Sequence, residues 1–379
     1  MAAKPVAYDY GKADRETSEN DAGMVRHRFL GAGIRGTVFA HISAKPVSAA
    51  SHISSNLCRM HDIWRALRPA RMADREMDMS NAIADYNVSG LSEAELTRME
   101  REIARKYMGK LSIPMVLWPI ANLICWLSLW PLVMSGIMPL WMGFIIATVN
   151  ITLSYLPSHE AQHDIYARPG DKLRWLNEAI GHLSLIPLAY GYRILRLTHL
   201  EHHKNTNKPE LDPDHIFNEG TNLWQVIKSN ISAFQPSSKG SDSYAACLER
   251  LGTAEANRAY VEQISILLVH MAILFTCAAY GYALEALLLW WLPLKLGVTY
   301  IRIYLSWLPH YPGHETGRYR DTRGFKSWLG VWSSLAMTAH IVHHLHPRIP
   351  LDKTPAALRE LYPILEARKC DILEREHAH

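Results

Sequence analysis

Eight of the chain's 20 histidines fall into three short clusters. His159 and His163 stand four apart in SHEAQHD. His199, His202 and His203 form HxxHH in RLTHLEHHKNTNKPELDPD, and His340, His343 and His344 form a second HxxHH in AHIVHHLHP. On a helix, spacings of three and four put side chains on one face. Each cluster can therefore aim two or three imidazoles at one point. Imidazole is a ligand for Fe, Cu and Zn, and eight such ligands exceed what one tetrahedral zinc accepts. They suit two metals of octahedral type with open positions. An all-nitrogen pair of redox metals is suited to activating dioxygen. Solvated or core histidines have no reason to recur at these spacings three times.

Long apolar helices must position these clusters. Between Lys110 and Glu160 lie 49 consecutive residues without Asp, Glu, Lys or Arg. A helix crosses the hydrocarbon core in roughly 20 residues, so this run holds two spans, near 111–134 and 138–156, with Ser135-Gly136 as the turn. Trp118, Trp130 and Trp141 near the span ends suit the interface. A second pair is expected near 263–284 and 287–305. The fourth span carries Lys295 beside Pro293, with Arg302 near its end; a mid-membrane lysine is costly unless it snorkels or the helix breaks. The stretch Ala179–Tyr192 is too short to span and reads as interfacial or re-entrant. Neither short connection, Ser135-Gly136 nor about Gly281–Glu285, contains Lys or Arg, whereas the other three segments are rich in both. By the positive-inside rule the N-terminus, the 159–262 region and the C-terminus face the cytoplasm, and all three clusters share that compartment.

Composition narrows the alternatives. The 379 residues carry 40 Lys+Arg against 36 Asp+Glu, a formal net charge of +4 that gives no field for nucleic acid. The five cysteines (Cys58, Cys125, Cys247, Cys277, Cys370) show no CxxC spacing, which argues against a disulfide framework, a zinc ribbon or a built-in iron–sulfur cluster. The mean hydropathy of −0.08 averages two unlike populations. Residues 1–90 are polar and read as mostly disordered. Within them, Met24–Met72 holds eight Lys/Arg and one acid, Asp62. That segment reads as targeting sequence or as the product of a misassigned start, with Met60, Met72 or Met77 as the true one. Ser92 with Glu95 forms a capping box for a helix running to Lys110. The 216–262 segment is polar with a loop at Pro236–Ser243, and Thr354-Pro355 reads as N-cap and N1 of a last amphipathic helix.

In this order, HxxxH, HxxHH and HxxHH between hairpins of apolar helices, the chain resembles the membrane fatty acid desaturase superfamily, which includes lipid desaturases and carotenoid hydroxylases and ketolases. The resemblance covers about residues 105–365. It implies an all-α integral membrane fold, with about four transmembrane helices under a helical cytosolic cap carrying a non-haem diiron centre. It implies that dioxygen and two electrons are used to remove C–H hydrogens. It makes His159, His163, His199, His202, His203, His340, His343 and His344 the iron ligands. Stearoyl-type members add a histidine at the end of span four, where His310 stands in SWLPH; His314 and His346 are poorer candidates. His182 and His215 read as structural, and His270 as bonded to a neighbouring helix. Metal-bound imidazole usually donates its free N–H to a carboxylate or carbonyl. Glu160, Asp164, Glu201, Asp212 and Asp214 lie in or near the boxes, and each reads equally as a solvated charge. No separate general acid or base is required.

Other readings stay open. HEAQH is also HExxH, the zinc-protease motif, which would leave six boxed histidines unused. A histidine-lined metal transporter would want ionisable residues along its spans, and the first two have no charged ones. Within the superfamily, fatty-acyl desaturation leads. Carotenoid hydroxylation or ketolation, and alkane or other lipid hydroxylation, share its first hydrogen abstraction. The substrate would be a long-chain acyl lipid or another apolar chain reached from the bilayer. The chain has no HPGG-type cytochrome b5 segment, no flavin or nicotinamide glycine loop and no cysteine cluster, so electrons must come from a separate ferredoxin, rubredoxin or cytochrome b5. Lys and Arg in the N-terminal helix and around Arg193, Arg196 and Arg318–Arg323 are docking candidates, beside the plainer reading of ordinary positive-inside bias.

Overall fold

The computed structural model describes residues 86–109, 111–218, 220–232, 239–325 and 337–372. The expected disordered segment lies outside these residues up to position 85, as do its candidate start codons and Pro236–Ser238. Every regular element described is helical.

Helix α1, Glu93–Tyr107, begins as the sequence predicts: the Ser92 side chain accepts from the Glu95 N–H, and the Glu95 carboxylate returns to the Ser92 N–H. Helices α2 (Ile113–Met134) and α3 (Leu140–Gln162) are apolar and long enough to span a bilayer. The tight connection after α2 is possible because Gly136 takes a left-handed φ of +74°. Inside this hairpin Asn122 Nδ2 donates to Asn150 O at 3.0 Å and Asn150 Nδ2 donates back to Asn122 O at 2.9 Å. Each side-chain amide thus donates to the other residue's backbone carbonyl and ties the two helices together.

The second hairpin starts earlier than charge counting suggested. Helix α9 runs Ala254–Ala279, not from Gln263. Thr253 caps it through the Ala256 N–H, and its charged first turns leave the apolar zone, where Glu262 pairs with Arg193. Gly281, at φ +87°, turns the chain into α10, Ala283–His310. Pro293 does not break this helix. It follows a π-helical turn at Leu287–Trp291, where the hydrogen-bond register has already shifted and a missing N–H disturbs little. The Lys295 ammonium lies 5.6 Å from the Trp291 ring centre. His270 packs against Trp290 of α10 with the rings tilted by 42° and their centres 4.2 Å apart, and its Nδ1 finds no hydrogen-bond partner among the described residues, so its link to the neighbouring helix is packing. A second π-helical turn, Arg302–Trp307, precedes His310.

Between the hairpins come α4 (Arg174–Ser184), α5 (Tyr192–Asn205), α6 (His215–Asn218), α7 (Leu223–Ser232) and α8 (Lys239–Leu251). Residues 239–243, expected in a loop, open α8. The stretch read as re-entrant is the end of α4, a turn and the start of α5. It packs on α2 and α3, burying Ile180, Leu185, Leu188 and Tyr192. Helix α11 is His340–Leu345, and α12 is Thr354–Ala367 with Lys353, one residue before the expected Thr354, at the N-cap. Helix α12 packs on α1 and α11. Leu361, Ile364 and Leu365 are fully buried in a core shared with Ile341, Val342 and Leu345 of the third cluster, each worth about 1.5–3 kcal/mol of transfer free energy.

One close approach sets the angle of the first cluster. A Cβ on Gly181 would lie 2.5 Å from the Tyr192 ring. The Tyr192 hydroxyl donates to Ala161 O, between His159 and His163, at 2.8 Å, and accepts from Asn177 Nδ2 at 3.2 Å. Gly181→Ala must push that ring off its bond. The expected result is a loss of about 1–3 kcal/mol, read as a lower melting temperature in detergent; an unchanged melting temperature would contradict the packing.

Candidate metal centre

Four segments deliver nine imidazoles to one place. His159 sits in the last turn of α3 and His163 caps it. His199, His202 and His203 share one face of α5; His340, His343 and His344 lie on α11; His310 ends α10. Candidate ligand atoms of His159, His163, His199 and His343 all lie within 4.8 Å of one another, and those of His202, His310 and His344 do likewise. The remaining two join these groups by contact. His203 Nε2 is 3.1 Å from His199 Nε2 and 3.0 Å from His343 Nε2, and His340 Nε2 is 3.2 Å from His310 Nε2. His199 and His163 also face each other Nε2 to Nε2, at 2.9 Å.

These contacts test whether a metal suits the site. Ring nitrogens of the same kind pointing at one another make poor mutual partners, but converge as a coordination sphere does. Both ring nitrogens of His159, and Nε2 of His344, are buried without a hydrogen-bond partner, an expensive state for a polar atom unless something else binds it. Burial drives His163, His199, His203, His340, His343 and His344 well below the ordinary histidine value of 6.5, and neighbouring imidazoles add to it. They are thus neutral at pH 7, the form that ligates. The donor set fits two transition metals.

The outer contacts fix which nitrogen is offered. His202 Nδ1–H donates to Asp212 Oδ1 at 2.8 Å, and His310 Nδ1–H to Asp321 O at 3.2 Å. Both turn Nε2 toward the other imidazoles, that of His310 to 3.2 Å from His340 Nε2. Burial alone would lower His202, but the Asp212 carboxylate outweighs it and lifts the ring to about 9. A cation arriving at Nε2 therefore displaces a proton.

Of the five carboxylates named from sequence, Asp212 holds a boxed imidazole. The other four have different partners. Glu160 Oε1 accepts from the Leu351 N–H at 2.6 Å. Asp164 pairs with Arg174 and Arg196, at 2.5 and 3.2 Å. Glu201 pairs with Lys204 and Arg250, at 3.2 and 3.6 Å. Asp214 accepts from the Tyr244 hydroxyl at 2.7 Å and lines a pocket below the imidazoles. Being adjacent to a box in sequence does not fix the direction of a side chain at a helix end. His182 lies 3.6 Å from Glu262, His215 sits in α6 and His314 is exposed.

Sequence reasoning missed the support under the third cluster. Glu100 of α1 is fully buried, accepts from Arg318 at 3.1 Å and from the Tyr319 hydroxyl at 2.9 Å, and lies 3.0 Å from His346 Nε2. No motif marks this long-range network. Burial would raise the Glu100 carboxyl, but His346, Arg318 and Tyr319 prevail and hold it at about 2, below its ordinary 4.5. Its folded value is depressed, so its stabilisation is complete above pH 4.5 and is lost as pH falls toward 2. Metal-free protein should show that loss in thermal unfolding, and Glu100→Gln should start lower and flatten the curve; parallel curves would contradict the network.

A pocket reaches the cluster at Tyr155, His159, His199, His202 and His340, and runs between Leu188, Leu195, Val298, Ile301 and Leu305. Residues 135–373 match the sequence model of the family described as fatty acid desaturase. The chain belongs to that family. This desaturase-family protein is 31% identical over 107 residues to the sn-1 oleoyl-lipid 12-desaturase of Anabaena variabilis, covering 28% of this chain and 27% of that one. It is 35% identical over 63 residues to the enzyme of the same name from Arthrospira platensis, 17% of this chain and 15% of the other. It is 36% identical over 58 residues to the sn-1 acyl-lipid omega-3 desaturase (ferredoxin) of Nostoc sp. (strain 36), 15% of each. The matched part spans about a quarter or less of these relatives' lengths. With four spanning helices and this family, the protein is an integral membrane protein.

Proposed function

We propose that this protein is an acyl-lipid desaturase whose nine imidazoles hold two irons. His159, His163, His199, His203 and His343 would take one, and His202, His310, His340 and His344 the other. The observation that carries the reading is the convergence of these rings, from four segments, at the end of an apolar pocket between spanning helices. The names of the relatives support a lipid substrate. When bound, the irons supply activation of dioxygen for a two-electron removal of hydrogens. The chain's own residues do the rest. Leu188, Leu195, Val298, Ile301 and Leu305 would give an acyl chain its apolar contacts on the way to the imidazoles. Asp212 keeps the proton on His202 Nδ1, and Asp321 O does so at His310, so that both rings present Nε2.

Charge bias supports a topology with both termini and the boxes facing the cytoplasm, where a ferredoxin, rubredoxin or cytochrome b5 would supply electrons. The zinc-protease reading is poorly supported. Glu160, which would have to activate water, bonds the Leu351 N–H through Oε1, and seven other imidazoles would lack a purpose.

The test is product mass. The chain is expressed in a host that supplies acyl lipids and in one that accumulates β-carotene, each with a compatible reductase. Loss of two hydrogens from an acyl chain is expected. Oxygen gained on the carotenoid ring would overturn the assignment.

A further inference from the structure

A second pocket meets the cluster through different imidazoles. It is lined by His203, Lys204, Thr206, Lys208, Gly317, Arg318, Asp321 and His344, so that none of its lining residues belongs to the apolar pocket. Of the nine clustered histidines, seven are buried; the partly exposed two are His203 and His344, whose rings stack 4.1 Å apart at this opening. The mouth is polar and cationic. Lys204, 71% exposed, and Lys208 project from the end of α5 and the turn after it. Arg318, 53% exposed, is anchored by Glu100 and by the Leu345 carbonyl and faces the same opening. Among the described residues of the lining, Asp321 is the one acid.

Electron transfer weakens steeply with distance, so a carrier protein must come close to the metals without entering the apolar pocket. This mouth meets that need, because two candidate ligands reach its surface. We propose that Lys204, Lys208 and Arg318 form the docking surface for a small acidic electron-carrier protein, seated over His203 and His344. The proposal rests on the desaturase reading, which makes an external carrier necessary. The feature that singles out this patch from the general basic bias is the coincidence of exposed cations with the exposed edge of the cluster. Opposite charge would steer and orient the carrier there, and salt would weaken it.

The test is binding, measured with purified protein in detergent against three acidic probes: a [2Fe–2S] ferredoxin, a rubredoxin and a cytochrome b5. Wild type should bind at least one, with affinity falling as salt rises. The double variant Lys204→Glu, Lys208→Glu should weaken that binding at least about tenfold. A control reversal at Arg168 and Lys172, exposed in the loop between α3 and α4, should change it less than about twofold. No binding to any probe, an unchanged affinity in the mouth variant, or an equal loss in the control would each overturn the proposal. A single-turnover assay driven by dithionite separates this from the enzymatic reading. Desaturated product from the mouth variant with carrier affinity unchanged removes only the docking site. Absence of product from wild type removes the desaturase reading, while the binding comparison still decides where an acidic carrier sits.

Discussion

His343→Ala should lose one of the two metals and all measurable desaturation, while the protein still inserts and can be purified. His343 belongs to the four-imidazole group, and its Nε2 lies 3.0 Å from that of His203, which in turn meets His199. Removing it takes a donor from the centre of one coordination set. Insertion is unaffected, because it is set by the apolar helices α2, α3, α9 and α10, none of which contains this residue. The readouts are metal per chain by elemental analysis and product mass in lipid extracts. The matched variant His202→Ala should remove the other metal. Retained turnover in either variant would strike that histidine from the ligand set.

Asp212→Asn should lower metal affinity about 10–100-fold, the usual effect of losing a partner that orients a ligand. The carboxylate is buried and uses both oxygens. Oδ1 accepts from His202 Nδ1 and the Asp214 N–H, at 2.8 and 2.9 Å, and Oδ2 accepts from the Asn207 N–H at 2.9 Å. An amide has one acceptor oxygen, so its NH2 must face either the His202 and Asp214 N–H groups or the Asn207 N–H, and at least one donor is stranded. Asp164→Asn is the comparison. It disturbs the ion pairs to Arg174 and Arg196 and should lower the melting temperature with little change in metal affinity. Equal metal affinity in Asp212→Asn and wild type would show that the carboxylate does not orient a ligand.

The contrast between these two aspartates marks how far the sequence could be read. The histidine boxes and the first hairpin are written in local patterns: three- and four-residue spacing, and an uncharged run with a glycine turn. The start of α9 was hidden because a spanning helix can project beyond the bilayer, and Glu255, Arg258 and Glu262 of that projection look like loop residues. The continuity of α10 past Pro293 depends on a π-helical turn that composition does not encode. His310 stands outside any box, yet the structure places its Nε2 against His340. Which acid near a box holds an imidazole is decided by tertiary geometry. Asp212 follows a turn that folds back on α5, whereas Glu160 points to Leu351, far along the chain. The bonds from Arg318 and Tyr319 to Glu100 are of the same long-range kind.

The most direct measurement is the metal content of protein purified without added metal. Two irons per chain are expected, falling to about one in His343→Ala, since among the described residues the imidazoles form two groups with no cysteine or carboxylate in the donor set. A single zinc per chain, unaffected by loss of His343, would contradict a dimetal site and return the HEAQH segment to the protease reading.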